Sequence, residues 1–169
     1  QTFDGNSISN WNDFSWNSKH YCTSICIPSE FISKIKVDLK NSISSDSKIH
    51  TITHVLVNAS KILTKSESND IDAYYDNGII HLFDNTSDGY NGCSKIIYEN
   101  FENILETCFD LVNVCDCKDE SKQNQSTISE DWGGCPKCTF TTNYCQTKNK
   151  KLSKKGALDF FSIFHREIK

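Results

Sequence analysis

The chain contains no methionine and a single arginine, Arg166, in 169 residues. Its apolar runs fall well short of the ~20 residues that a bilayer span needs, so a membrane is not an expected partner; no small-molecule substrate is expected either. No charged-then-apolar leader opens it, which argues against a secreted disulfide scaffold. With Gln1 first and no methionine, we expect a fragment of a longer protein; a reducing home inside the cell would suit thiolates held by metal. A Gly-x4-Gly-Lys-Ser/Thr phosphate loop is also missing, so these residues should form no nucleotide-driven motor and carry no catalytic residue. No internal repeat is visible.

What the chain does have is cysteine. Five of its nine cysteines, Cys115, Cys117, Cys135, Cys138 and Cys145, fall within 31 residues. Cys135 and Cys138 frame a C-x-x-C in which Pro136 stiffens the bend, while Gly133 and Gly134 permit a tight approach. Two thiolates so spaced can turn back on one ion. A structural zinc closes its tetrahedral shell with four Cys or His ligands at about 2.3 Å. Four of these five cysteines would complete one zinc site. Cys115 is the expected spare, because it continues a buried helical stripe. A disulfide framework competes with this reading, but an odd count of cysteines would leave one unpaired.

Charge is unevenly spread. Residues 135–169 hold eight basic and two acidic side chains, a balance of +6, which leaves −10 on residues 1–134. Lys148, Lys150, Lys151, Lys154 and Lys155 crowd the link between the last cysteine and the final helix. Such a basic end is a candidate surface for nucleic-acid phosphates, with Lys154 and Lys155 near the positive end of a helix. The plain alternative is a solvated lysine-rich turn.

Periodicity divides the rest. Residues 1–18 read as a polar arm, and 19–169 as one domain with a flexible polar insertion over 118–134. HYCTSICIPSE reads as a strand with Tyr21, Ile25 and Ile27 on one side. Cys22 and Cys26, on the other side, are expected as small core residues; a strand would hold them ~13 Å apart. Ile49, Ile52, Val55, Leu56, Ala59, Ile62 and Leu63 trace a helical stripe. His50 and His54, at i and i+4 on its flank, read as half-buried imidazoles bonded to neighbours, since no Glu stands between them to serve as a base. GIIHLFD (78–84) is a strand. The Gly-containing loop after it could offer backbone N–H groups to an anion, but two glycines without a fixed spacing make a weak case, and an ordinary tight connection is the favoured reading. Ile97, Phe101, Ile104, Cys108, Leu111 and Cys115, spaced 4, 3, 4, 3, 4, form one long helical stripe. Ser153 should cap a last helix that buries Ala157, Phe160, Phe161 and Phe164. The expected class is α+β: a small sheet packed with helices and a Cys-type zinc site near the C-terminal helix.

This order of motifs resembles the MrfA-like zinc-binding domain at the C-terminus of a branch of superfamily-two DNA helicases that includes the RecQ-four-like group. The matching segments are IHTITHVLVNA, NDID, GIIHLFD, SDGYNG, CDC, GGCPKC, Cys145 and KLSKKGALDFF, spread over about residues 20–165. The link between CDC and GGCPKC is expanded here, and Thr142-Asn143-Tyr144 stands where the family usually has Ser-Pro. The resemblance implies an accessory module and not the motor. Its partners would be DNA, through the parent helicase, and the motor domains in cis, which would carry the ATP. A protein–protein interaction module built on the same zinc fold is the alternative. A zinc hydrolase is disfavoured, because catalytic zinc keeps an open position and usually takes His or carboxylate ligands.

Overall fold

Asn77 and Gly78 both adopt positive φ, 46° and 89°, the backbone that a two-residue hairpin turn requires. They join β2 (Ile71–Asp76) to β3 (Ile79–Asp84), and β1 (Cys22–Cys26) pairs with the far edge of β3. The result is an antiparallel sheet of order β1-β3-β2. This is a computed structural model, and it describes residues 20–27, 29, 45–118, 135–141 and 152–167. The expected arm over 1–18 lies outside these residues, as does the insertion 118–134 apart from Lys118.

Alternation sets the two faces of the sheet. Ile80 and Leu82 point inward with Ile71, and Thr23, Ile25 and Ile27 join them from the β1 side. Cys22 and Cys26 therefore fall on the outer face opposite Phe83 and Ile79, and both are exposed. They are not core residues as expected, because the inward parity of β1 is taken by its β-branched side chains.

Four helices accompany the sheet among the described residues. Helix α1 (Ser45–Thr64) is central, and its residues 51–57 are buried without interruption. A helix enclosed on every side must find partners for its polar groups as well. Thr51 and Thr53 satisfy their hydroxyls on the carbonyls of Ser47 and Ile49, one turn earlier. Helix α3 (Phe101–Val114) and helix α4 (Lys154–Glu167) pack on α1, while the short α2 (Cys93–Glu99) lies against β1 and β3. Phe161, Ile104, Cys108 and Val112 meet Ile52, Val55 and Leu56 in one core. Each fully buried side chain of this size is worth about 1.5–3 kcal/mol.

The long stripe expected over 97–115 is two helices. Asn100 leaves the helical region (φ −123°, ψ 33°), and its side-chain amide donates to the Ile96 carbonyl at 2.9 Å. The last helix begins where Ser153 places it, for Ser153 Oγ accepts the Gly156 N–H at 3.1 Å.

The loop before α2 has its N–H groups filled from within. The Asp84 side chain is 0% exposed. Its Oδ2 accepts from the N–H groups of Asn91 and Gly92 at 2.9 and 3.0 Å, and its Oδ1 from Ser94 at 2.7 Å. Gly92, at φ 84°, provides the left-handed turn that brings these groups together. The chain's own carboxylate thus takes the place that an external phosphate would need, so the loop is a tight connection. Replacing Asp84 with Ala leaves three N–H groups without their acceptor. Urea unfolding of the zinc-loaded chain should show a loss of about 3 kcal/mol.

Candidate metal centre

Helix α3 ends at Val114, and Cys115 turns into extended backbone (φ −62°, ψ 125°). One turn of 3-10 helix, Asp116–Lys118, then brings Cys117 back beside it. The other half of the site is a knuckle. The Cys135 carbonyl accepts from the N–H groups of Cys138, Thr139 and Phe140 at 3.2, 3.0 and 3.0 Å. Thr139 Oγ1 takes the Cys135 N–H at 2.6 Å, and the Lys137 N–H points at Cys135 Sγ from 3.4 Å.

These two halves bring four sulfurs together. Cys115, Cys117, Cys135 and Cys138 place their Sγ atoms within 4.8 Å of one another. The separations are 3.3 Å for Cys115 and Cys117, 3.7 Å for Cys115 and Cys135, and 3.8 Å for Cys117 and Cys138. Tetrahedral bonds of about 2.3 Å to one ion put sulfurs about 3.8 Å apart. A disulfide needs about 2.05 Å, far shorter than any of these separations. The geometry is that of a single closed tetrathiolate ion.

The electrostatics point the same way. Burial opposes charge on Cys135, but the Lys137 N–H and the neighbouring sulfurs outweigh it and bring the thiol to about 7. Burial pushes Cys138 far up, with the charges of Cys117 and Cys135 adding to it and Lys154 opposing. Cys117 is raised by burial too, against the hydrogen bond from Lys154. Four neighbouring thiols cannot all ionise unaided. A divalent cation removes the conflict, because it deprotonates the thiols that coordinate it. The donor set therefore fits zinc: one ion, four cysteines, and no position left open for substrate.

Helix α1 holds the knuckle by its backbone. His54 Nδ1 donates to the Thr139 carbonyl at 3.0 Å. Asn58, one turn later, donates to the carbonyls of Cys138 at 3.3 Å and Phe140 at 2.7 Å. The His54 and His50 rings lie 4.2 Å apart, yet the Nδ1 of His54 is committed to the knuckle. Among the described residues the four cysteines are the one group able to hold a metal.

The expected site residues divide accordingly. Cys115, expected to stand aside, is placed in the sulfur group with Cys117, Cys135 and Cys138. Cys145 lies outside the described residues, as do Lys148, Lys150 and Lys151. Lys155 is exposed. Lys154 is not a surface lysine: it is 0% exposed, and its Nζ donates to Cys117 Sγ at 2.6 Å and the Cys115 carbonyl at 3.4 Å. The Cys117 sulfur and the Cys115 carbonyl take the place of the water that burial removes from the ammonium. Sequence reasoning missed this role, along with those of Asn58 and Thr139; Asn58 continues the flank of His50 and His54 by one further turn, and that spacing was a usable signal.

Comparison with known proteins supports the metal. The family model described as the MrfA Zn-binding domain matches residues 52–139, from α1 through the knuckle. A protein of Methanocaldococcus jannaschii described as uncharacterized is 28% identical over 120 residues, 65% of this chain and 93% of that one. No solved structure matches the chain.

Elemental analysis of protein purified without chelator should find one zinc per chain. Serine at Cys115, Cys117, Cys135 or Cys138 should abolish it, whereas Cys108→Ser and Cys145→Ser should retain it. Zinc kept in Cys115→Ser and lost in Cys145→Ser would replace one ligand by the other. A second expectation concerns pH. Burial lowers the His54 pKa below 6.5, against the hydrogen bond to Thr139. Below pH 6.5 the unfolded chain then binds a proton that the native state does not, so this contribution to stability is present above 6.5 and lost as pH falls. The stability advantage of wild type over His54→Gln should therefore shrink between pH 7.5 and 5.5.

Proposed function

Since the chain belongs to the MrfA Zn-binding domain family, we propose that it is the zinc-stabilised accessory domain of an ATP-dependent DNA helicase, supporting DNA binding and strand separation by the attached motor. The observation that carries this reading is the closed tetrathiolate centre of Cys115, Cys117, Cys135 and Cys138. A centre with no open position organises a surface and catalyses nothing. The site ties the end of α3 to the knuckle and, through Lys154, to the first turn of α4. Lys155 stands exposed at that same turn, next in sequence to the basic segment that holds Lys148, Lys150 and Lys151. Phosphate contacts there would add affinity without sequence preference. ATP belongs to the motor, and a nuclear location follows from the same reading.

A second reading is favoured by the surface around the sulfurs. Val114 is 73% exposed and Phe140 50% exposed, and each is next or nearly next in sequence to a ligand cysteine. Apolar side chains so placed suit a protein partner, the motor itself included.

Salt separates the two readings. Each phosphate neutralised on duplex DNA adds about 0.9 to the slope of log affinity against log salt. Gln at Lys148, Lys150, Lys151 and Lys155, with Lys154 left intact, should weaken DNA binding by the chain joined to its motor and flatten that slope, with zinc content unchanged. Binding that is identical across the salt series would discard the DNA-facing reading and leave the interaction module.

A further inference from the structure

Lys154 is the first residue of α4, where a cation opposes the helix dipole. It is also completely buried, an outcome that lysine almost never meets without a paired anion. Both features are unfavourable for the helix and for hydration, so something specific must offset them. The partner the structure gives it is sulfur: Cys117 Sγ at 2.6 Å, with the Cys115 carbonyl at 3.4 Å as a second acceptor.

Two contacts fix the start of α4 on α1. Ser153 N–H donates to Thr51 Oγ1 at 2.8 Å, fixing the entry of α4 on α1. At Gly156 an added Cβ would lie 2.7 Å from Lys48 Cγ, so this first turn is pressed closely against α1. The side chain is thereby aimed at the sulfurs. Zinc with four thiolates carries two net negative charges in a half-buried setting, with Cys135 and Cys138 buried and Cys115 and Cys117 partly exposed, and burying charge without compensation is expensive.

We propose that Lys154 is the counter-charge of the zinc centre, the residue whose ammonium allows the half-buried tetrathiolate to retain its metal. Lys154 lies beyond the residues 52–139 matched by the family model. The inference rests on the zinc reading above, and it makes Lys154 a positioning residue for Cys117 and not a ligand. Zinc affinity of the full chain, measured by competition with a chromogenic chelator, tests it. Lys154→Met and Lys154→Gln should each bind zinc about 10- to 100-fold more weakly, as is typical when a group supporting a metal ligand is removed. In the zinc-free state both variants should unfold no earlier than zinc-free wild type, because the buried charge serves the loaded centre. Should Lys154→Met fail to fold, Lys154→Gln, which keeps a donor but no charge, decides alone. A loss in affinity smaller than tenfold overturns the proposal. A destabilisation as large without zinc as with it does the same, since Lys154 would then be mere packing. Wild type that takes up no zinc sinks the zinc reading and this inference together, whereas loaded wild type with an unaffected variant sinks this inference alone.

Discussion

Four sulfurs lie within 4.8 Å of one another, and as thiolates they repel. Everything around them answers that constraint. A divalent ion supplies most of the attraction, but the protein must still deliver the sulfurs to one point and compensate the charge that remains. The Lys137 N–H on Cys135 and the Lys154 ammonium on Cys117 serve the second need, one on each half of the site. A closed shell that satisfies both needs makes a rigid corner between α3, the knuckle and α4.

Delivery is the work of α1. Thr51, His54 and Asn58 fall at intervals of three and four, so they share one helical face. That face meets the Ser153 N–H, the Thr139 carbonyl, and the carbonyls of Cys138 and Phe140. These partners come from chain 80 or more positions away. The apolar faces of the same helix bind it to α3 and β2. Because residues 51–57 are buried all round, a polar group there without a partner would cost about 1–3 kcal/mol. The requirement works in both directions: the knuckle is held by α1, and α1 tolerates its polar stripe because the knuckle is there.

Much of this was legible in sequence wherever the signal was local. The stripes of α1, α3 and α4 repeat at the helical period, Ser153 is a good cap, and Cys135 with Cys138 has the spacing of a knuckle. β2 is masked in the sequence because IDAYYD adjoins a polar break, although Asn77-Gly78 is a strong hairpin signal. The heptad-like count through Ile97 and Phe101 to Cys115 concealed two ends. Asn100 bonds back to Ile96 and breaks the helix, and Val114 is its last residue, so Cys115 leaves the stripe and joins the sulfurs. Cys22 and Cys26 depended on which parity of β1 faces in, and the sequence there is apolar on neither side alone.

Lys154 was the least legible residue, for a reason that bears on function. In a run with four other lysines it has the composition of a solvated surface, and its burial depends on charge that comes from Cys117, 37 positions away. A lysine turned inward is unavailable to any external anion, and the centre that it serves is itself net negative. The basic end of the chain is therefore less basic toward solvent than its +6 suggests. In the DNA-binding reading, attraction rests on Lys155 and the lysines before it, not on the helix start as a whole. In the docking reading, Val114 and Phe140 supply exposed apolar area beside the centre. With that ammonium turned inward, phosphate contact has one cation fewer to draw on, whereas the exposed apolar area of Val114 and Phe140 is unchanged.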